Sequence, residues 1–399
     1  MFGRMVKDGN FKYFNIIFIN VNKWGHRADI DKKLNQLRLE YHTIEKPRIS
    51  VVKKLILNER PDIVIVGHDR TLLDRLFIKC ANSFNIPTLL VQDGIIAASR
   101  ERTNEELTEY QKLKYLLLIP FRLMKIFLQK SPYSWTQIIE VFLLQVDTRT
   151  WGNSGNYGQG ECQKMAVFGD ATKDLLISEG VDPKRIIVTG NPKFDSLFYY
   201  THNITRKNKL LNTYNNKYIF LLITQPLVEA KIWSIEQRSD FILTIYRSTS
   251  AFPNAQLIIK LHPPMEKEDD YYQIIKNLPH PPIICKNMKL PELIDACTVF
   301  MAGDSTAALE AMAMRKPVII INLFDSETNS FYRNSGALFA TNENQIKEGI
   351  RKILYNSDEL DKMSKFIDDF VYNNAYLQDG QSSKRIAELI AHMTTKNGI

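Results

Sequence analysis

At 399 residues the chain is too long for one ordinary core and predicts two domains. With 44% hydrophobic and 24% charged residues, a disordered majority is excluded, and nothing approaches an uninterrupted transmembrane span. A net charge of +8 points to anionic partners such as nucleotides or phospholipid surfaces; without a zinc finger, RNA-recognition signature or long basic tail, nucleic acid is not among them. The four cysteines (Cys80, Cys162, Cys285, Cys297) are scattered without CxxC pairing, which argues against a zinc site or disulfide framework. With no signal peptide evident, the expected location is cytoplasmic.

Phe14–Val21 predicts a buried strand, Ile30–Tyr41 a polar amphipathic helix, and the stretch from about Ser50 to Glu59 a second helix. The strand Ile63–Val66 ends at Gly67-His68-Asp69-Arg70. A helix over Leu72–Phe84 leads to the strand Thr88–Val91, which stops at Gln92-Asp93-Gly94. Such alternation implies parallel βαβ units, whose strand-end loops form a ligand crevice. Lys112–Lys130 is basic and apolar with no acid, interrupted by Pro120. Two readings fit it: a helix in a membrane interface, or one packed on its own domain. The Gly/Asn-rich Trp151–Gly160 predicts a mobile loop. Alternation resumes with strands at Met165–Phe168 and Arg185–Thr189 around a helix near Ala171–Glu179. The polar stretch from Tyr200 to Lys217 predicts an interdomain linker. A second α/β series follows: strand Tyr218–Thr224, helix near Ser234–Ser248, strand Gln256–Leu261, then Val299–Leu323.

Val299–Leu323 reads as strand, small-residue loop, helix and strand, with Asp304-Ser305-Thr306 opening the helix after Gly303. Free amides and hydroxyls at the positive end of a helix stabilise an anion; an ordinary N-cap is the other reading. Upstream, Ile258–Pro264 ends a strand with Lys260, His262 and two prolines that fix the exit of the chain. An imidazole, two hydroxyls, helix-end amides and an ammonium together suit a diphosphate or phosphodiester leaving group. Glu310, five residues after Ser305, fits either a ribose or a salt bridge to Arg315. Asp93 fits either a base for an acceptor hydroxyl or a turn residue before Gly94. His68 and Asp69 are further candidates for base or acceptor binding, and His26 and Arg27 weaker ones.

The two-half layout, the LHP at Leu261–Pro263, the DST at Asp304–Thr306 and the ALEAMAMRKPVI run resemble GT-B glycosyltransferases of surface-polysaccharide synthesis. Lys173–Asp195 is similar to the last helix–strand unit of the N-terminal domain in these enzymes and in UDP-GlcNAc 2-epimerases. Leu377–Ile390 looks like the segment before a final helix that returns to the first domain. The resemblance covers roughly Pro61–Gln92 and Lys164–Ile390. It implies an α/β GT-B fold, two Rossmann-like doubly wound parallel-sheet domains facing a central cleft. Residues 1–200 would be the acceptor domain with an insertion at about 100–160, 201–216 the linker, 217–383 the donor domain, and 384–399 the helix crossing back.

In bacterial sialyltransferases and related Kdo transferases, a D/E-D/E-G motif carries the base, and HP and S-S/T motifs hold the nucleotide phosphate. Carried over, these imply Asp93 as base and His262, Ser305 and Thr306 on the phosphate. Lys260 and Gly303 join the phosphate set, Glu310 takes the ribose, and His68, Asp69 and Arg70 take the acceptor. Gln92 stands where those families prefer an acid, which argues against a CMP-linked donor. CDP-glycerol glycerophosphotransferases resemble the chain about as well. UDP-GlcNAc 2-epimerases share the fold, but their GTRPE-type and TERPE-type segments are absent; Asp325-Ser326-Glu327-Thr328 is a weak echo of the latter. The expectation is a metal-independent, cofactor-free glycosyltransferase. It would move a sugar from a nucleotide-sugar to a glycan or lipid-linked acceptor, with Lys112–Lys130 on the anionic inner face of the plasma membrane. The alternatives are a UDP-N-acetylhexosamine 2-epimerase-like enzyme, a CDP-glycerol-type polyol-phosphate transferase, and a non-catalytic nucleotide-sugar sensor.

Overall fold

The computed structural model describes residues 11, 14–21, 40–44, 49–70, 72–96, 157–202, 218–263, 265–324 and 331–395. Two compact units divide the chain: Met1–Pro192 with Gln381–Ile399, and Lys193–Gly380.

In the first unit, β1 (Ile17–Val21) and β2 (Glu40–Ile44) pair in parallel as a sheet of their own. The helix expected to reach Tyr41 therefore gives way to a strand by Glu40, where β-branched and aromatic residues (Tyr41, Thr43, Ile44) favour a pleated surface. The rest of that expected helix lies outside the described residues, as do His26, Arg27 and Lys112–Lys130. Then come α1 (Ile49–Glu59), β3 (Val64–Val66), α2 (Leu72–Ser83), β4 (Thr88–Val91), β5 (Lys164–Val167), α3 (Asp170–Ser178) and β6 (Ile186–Val188). Strands β3-β4-β5-β6 form one parallel sheet in that order. Parallel strands are covered on both faces, which is why they read as unbroken apolar runs. Leu90, Met165 and Val167 face one cluster with Leu176 and Val181, while Leu89, Val91 and Ala166 face the other.

The second unit begins at Lys193, one residue into α4 (Pro192–His202). The boundary thus falls at the Gly190-Asn191-Pro192 turn, not in the expected 201–216 linker, of which residues 203–216 lie outside the described residues. The physical reason is visible in α4. Phe198 packs so closely on Gly380 that a Cβ there would stand 2.8 Å from its ring. The elements that follow are β7 (Tyr218–Ile223), α5 (Ile235–Thr249), β8 (Ala255–Lys260), α6 (Glu268–Ile275), β9 (Ile283–Cys285), α7 (Leu290–Ala296), β10 (Val299–Ala302), α8 (Thr306–Ala313), β11 (Val318–Ile321), β12 (Leu338–Ala340), α9 (Glu343–Tyr355) and α10 (Ser357–Ala375). Helix α5 opens with a full capping box, Ser234 and Gln237 each satisfying the other's backbone amide.

The strand order is β12-β11-β10-β7-β8-β9, all parallel. Numbered within the unit, that is the 3-2-1-4-5-6 order of a dinucleotide-binding sheet. Its direction of winding reverses between β7 and β10, and ligands of such sheets bind beyond the carboxyl ends of the strands at that point. Ala302, Ile223 and Lys260 stand in register there, so the loops after β10, β7 and β8 leave one edge together.

The last helix, α11 (Ser382–Thr395), belongs to the first unit. It buries Ile386, Ala387, Ile390 and Met393 against Leu89, Val91, Ala166 and Phe11.

One turn of the second unit depends on glycine. Gly336 has φ +81, and a Cβ there would lie 2.7 Å from the Met363 carbonyl oxygen and 2.8 Å from the Phe366 Cβ. Gly336→Ala adds left-handed strain to a collision with helix backbone. It is expected to cost about 3 kcal/mol in urea melts, against no measurable change for a surface alanine substitution.

Candidate functional site

The carboxyl edge of the second sheet gathers most of the expected phosphate set. Past β10, Gly303 is packed closely: a Cβ there would meet Gln225 Oε1 at 2.7 Å. Gln225, from the loop after β7, donates through Nε2 to the Asp304 carbonyl at 3.2 Å. Sequence reasoning did not single out Gln225, which ties the two strand ends across the switch point.

Ser305 is the N-cap of α8, with extended backbone (φ −115, ψ 140), and its Oγ accepts from the Ala307 amide at 3.3 Å. The ordinary cap is therefore present, and it leaves the hydroxyl proton of Ser305 free to be donated. Tyr332, buried, clamps the same turn. Its hydroxyl donates to the Ser305 carbonyl at 2.6 Å and accepts from the Leu309 amide at 3.2 Å. Thr306, the first helical residue, is exposed. Glu310 is buried and paired with Lys193, while Arg315 pairs with Asp368 at 3.3 Å. The salt bridge read for Glu310 exists, but with a different cation.

At the end of β8, His262 is half-buried, and its Nδ1 is buried with no hydrogen-bond partner among the described residues. What fixes the backbone at His262 is Glu266, four residues on and fully buried. Glu266 Oε2 accepts from the His262 backbone amide at 2.7 Å and from Thr224 Oγ1 at 2.5 Å, and its Oε1 accepts from the Tyr271 hydroxyl. Burial, reinforced by the Glu266 charge, pushes the Tyr271 phenol well above its ordinary range. Lys286 Nζ donates to the Glu266 carbonyl at 2.6 Å, and Arg238 lies over the Tyr271 ring at 5.3 Å, bonded to Glu229 at 2.6 Å. Glu266 is the residue that sequence reasoning missed here.

Lys260 departs from its expected place on the phosphate. Its ammonium is buried and donates to the backbone carbonyls of Lys286 and Leu261, completing the β8–β9 exit. Burial lowers its basicity, and the nearby Lys286 charge lowers it further.

In the first unit, the loops after β3 and β4 leave one edge, since Val66 pairs with Leu90. Asp93 is open to solvent on one side and lies against Gly67 on the other, with Oδ2 3.2 Å from where a Gly67 Cβ would stand. Loss of water on that side raises its carboxyl above the usual range, and the His68 charge partly opposes this. Gln92 explains its own departure from an acidic pair. It accepts from the Phe168 amide at 2.8 Å and donates to the Gly94 carbonyl at 2.8 Å, a donation no carboxylate could make.

Asp69, expected on the acceptor, is fully buried. Its carboxylate accepts from the Gly158 and Gly160 amides at 3.0 and 2.6 Å, and its carbonyl accepts from Arg75 Nε at 2.7 Å. It holds the framework, and it pins residues 157–160, which were expected to belong to a mobile loop. Arg70 is exposed beside Glu179. His68 Nδ1 lies 3.0 Å from Asp74 Oδ2, in the first turn of α2. Among the described residues no cluster of His, Cys, Asp or Glu could hold a metal, and no helix is long and apolar enough to cross a membrane.

Two α/β units built on parallel sheets, the second reversing its winding between β7 and β10, define a protein of GT-B-like fold. The chain belongs to the UDP-N-acetylglucosamine 2-epimerase family, whose model matches residues 164–391. A Clostridium acetobutylicum protein bearing the name UDP-N-acetylglucosamine 2-epimerase is 23% identical over 230 residues. That stretch is 55% of this chain and 56% of the relative, so only about half of the relative is spanned. Among solved structures, the Neisseria meningitidis UDP-GlcNAc 2-epimerase bound to UDP-GlcNAc superposes with a TM-score of 0.58 at 18% identity, covering 98% of this chain and 95% of that one. The wall teichoic acid polymerase TagF gives 0.56 at 11% identity, covering 99% and 86%. The family match favours an isomerase over the transferase expected from the motifs, while transferases remain structural neighbours.

Proposed function

We propose that this protein binds a UDP-linked N-acetylhexosamine through its second unit and inverts the configuration at C2, with Asp93 serving as a base. The observation that carries the reading is the buried Nδ1 of His262, unpartnered among the described residues, on the same switch-point edge as the Ser305–Thr306 helix start. The family match supports it. The C2 hydrogen of such a sugar has no carbonyl beside it and is not acidic enough to leave alone. If the C1–oxygen bond to the diphosphate breaks as a base takes that proton, the products are free UDP and a sugar with a C1=C2 double bond. Return of the proton to the other face, with re-addition of the diphosphate, gives the epimer. His262, the two hydroxyls and the helix-start amides offset the charge that grows on the diphosphate. Glu310 gives one carboxylate oxygen to Lys193 and keeps the other for a ribose hydroxyl.

A second reading is glycosyl transfer, in which Asp93 takes the proton of a glycan or lipid-linked acceptor. It is favoured by the Gln92-Asp93-Gly94 sequence and by the absence of the GTRPE-type and TERPE-type segments. The two reactions break the same C1–oxygen bond and differ in whose proton is removed.

The test is incubation with UDP-GlcNAc in D2O, followed by NMR at C2. Deuterium at C2 together with a second UDP-sugar is the expected result. Stabilisation by UDP without any C2 exchange would sink epimerisation and leave transfer standing. In the same samples, UDP should raise Tm by mass action, and His262→Ala should remove most of that shift while leaving the ligand-free Tm close to wild type.

A further inference from the structure

We propose that His68, oriented by Asp74, is the second proton-transfer group of the first unit and works together with Asp93. This rests on the C2-epimerisation reading. Inversion requires the proton to leave one face of C2 and return to the other. A single carboxylate on one loop cannot serve both faces unless the freed sugar turns over. The loop after β3 supplies the second group, because β3 and β4 are adjacent and parallel, and His68 and Asp93 each stand two residues past the strand end.

The geometry suits the role. Nδ1 of His68 lies 3.0 Å from Asp74 Oδ2, which leaves Nε2 as the nitrogen that can give or take a proton. Asp74 sits in the first turn of α2, where a carboxylate is stable without a cation, so the histidine is not needed there for helix stability. The groups acting on His68 are Asp74 from α2, Asp93 from the loop after β4, and Asp69 from its own loop. Tyr157 approaches the same turn, its hydroxyl 3.5 Å from the Gly67 carbonyl. The Asp74 carboxylate beside Nδ1 raises the imidazole's basicity more than burial lowers it, and Asp93 and Asp69 add to the rise.

The step balances. Asp93 takes H⁺ from C2 as the C1–oxygen pair leaves with UDP. The His68 imidazolium gives H⁺ to the opposite face of C2 as a diphosphate oxygen bonds to C1. Asp93 is then protonated and His68 neutral, and one proton passing from Asp93 to His68, directly or through water, resets the pair.

The experiment has two arms. The imidazole proton resonances of His68 are titrated in wild type, Asp74→Asn and Asp93→Asn. A midpoint above the ordinary value of about 6.5 in wild type, lowered in both variants, is expected. Formation of the C2 epimer of UDP-GlcNAc is then measured for His68→Gln, which cannot carry a proton to the opposite face, while deuterium wash-in at C2 through Asp93 can persist. A loss of about 10²- to 10⁴-fold with an unchanged UDP-induced Tm shift is expected. Asp74→Asn should lose less and shift its pH–rate profile downward. Wild-type rates of epimer formation in His68→Gln, or an unmoved His68 midpoint in Asp74→Asn, would overturn the pairing while leaving epimerisation intact. Failure of the wild type itself to exchange at C2 would remove both.

Discussion

Glu266→Ala is expected to lower the unfolding free energy by about 4 kcal/mol, the largest stability loss of any substitution at the candidate site. The carboxylate is fully buried and is the common acceptor for three donors: the Thr224 hydroxyl, the His262 amide and the Tyr271 hydroxyl. Each buried donor left unpaired costs about 1–3 kcal/mol, reduced where a hydroxyl can turn to another acceptor. Glu266→Gln is the informative control. Its amide oxygen can stand where Oε2 accepts from Thr224 and His262, and its NH₂ can donate to the Tyr271 oxygen. It should therefore lose only about 1 kcal/mol. Urea melts of the pair decide the matter. An alanine variant within 1 kcal/mol of wild type would mean that Glu266 does not brace the β8 exit. Because one of the three donors is the backbone of His262, the alanine variant should also bind UDP more weakly than its residual folding accounts for.

For Asp93→Asn the expected loss is in turnover, about 10²- to 10⁴-fold, with UDP binding and Tm held near wild type. The asparagine keeps the shape of the turn and cannot accept a proton. The pH dependence has a definite sign. A base must be deprotonated to act, and partial loss of water raises the Asp93 carboxyl above its ordinary value, only partly offset by the His68 charge. Activity should therefore fall with acidification at a pH above the usual carboxylate range of about 4. Converting His68 to glutamine removes the offsetting charge and should move that limb higher still. An Asp93→Asn enzyme with wild-type turnover would take the base out of this loop altogether.

The elements legible in the sequence were those whose physics is local. Thr88–Val91, Tyr218–Ile223 and Val318–Ile321 are strands buried on both faces, and an unbroken apolar run announces that without knowledge of its neighbours. The Asp304-Ser305-Thr306 helix start was equally plain, because capping is decided within one turn. What stayed hidden was decided by distant partners. Glu266 lies in the run Met-Glu-Lys-Glu-Asp-Asp, which reads as a solvated surface; its burial comes from Thr224 and Tyr271. The Lys193–Glu310 pair joins residues 117 positions apart. Asp69 looked like a twin of His68 until the Gly158 and Gly160 amides claimed it. Lys260 was misplaced because sequence shows that a strand ends but not where its side chain turns. The choice between transfer and epimerisation was hidden for a chemical reason: both need the same diphosphate-holding edge, and only that edge has a strong local signature.

The path of the chain sets an order of assembly. Residues 193–380 contain everything the second unit needs, so that unit can close on itself as one continuous stretch. The first unit cannot, because one face of its sheet waits for Ile386, Ile390 and Met393 of α11. During synthesis Leu89 and Val91 thus wait for these partners until residues 386–393 have emerged, a long delay for an apolar contact. The second unit should become resistant to protease first. A chain arrested before residue 382 should carry a finished second unit and a first unit that chaperones still hold.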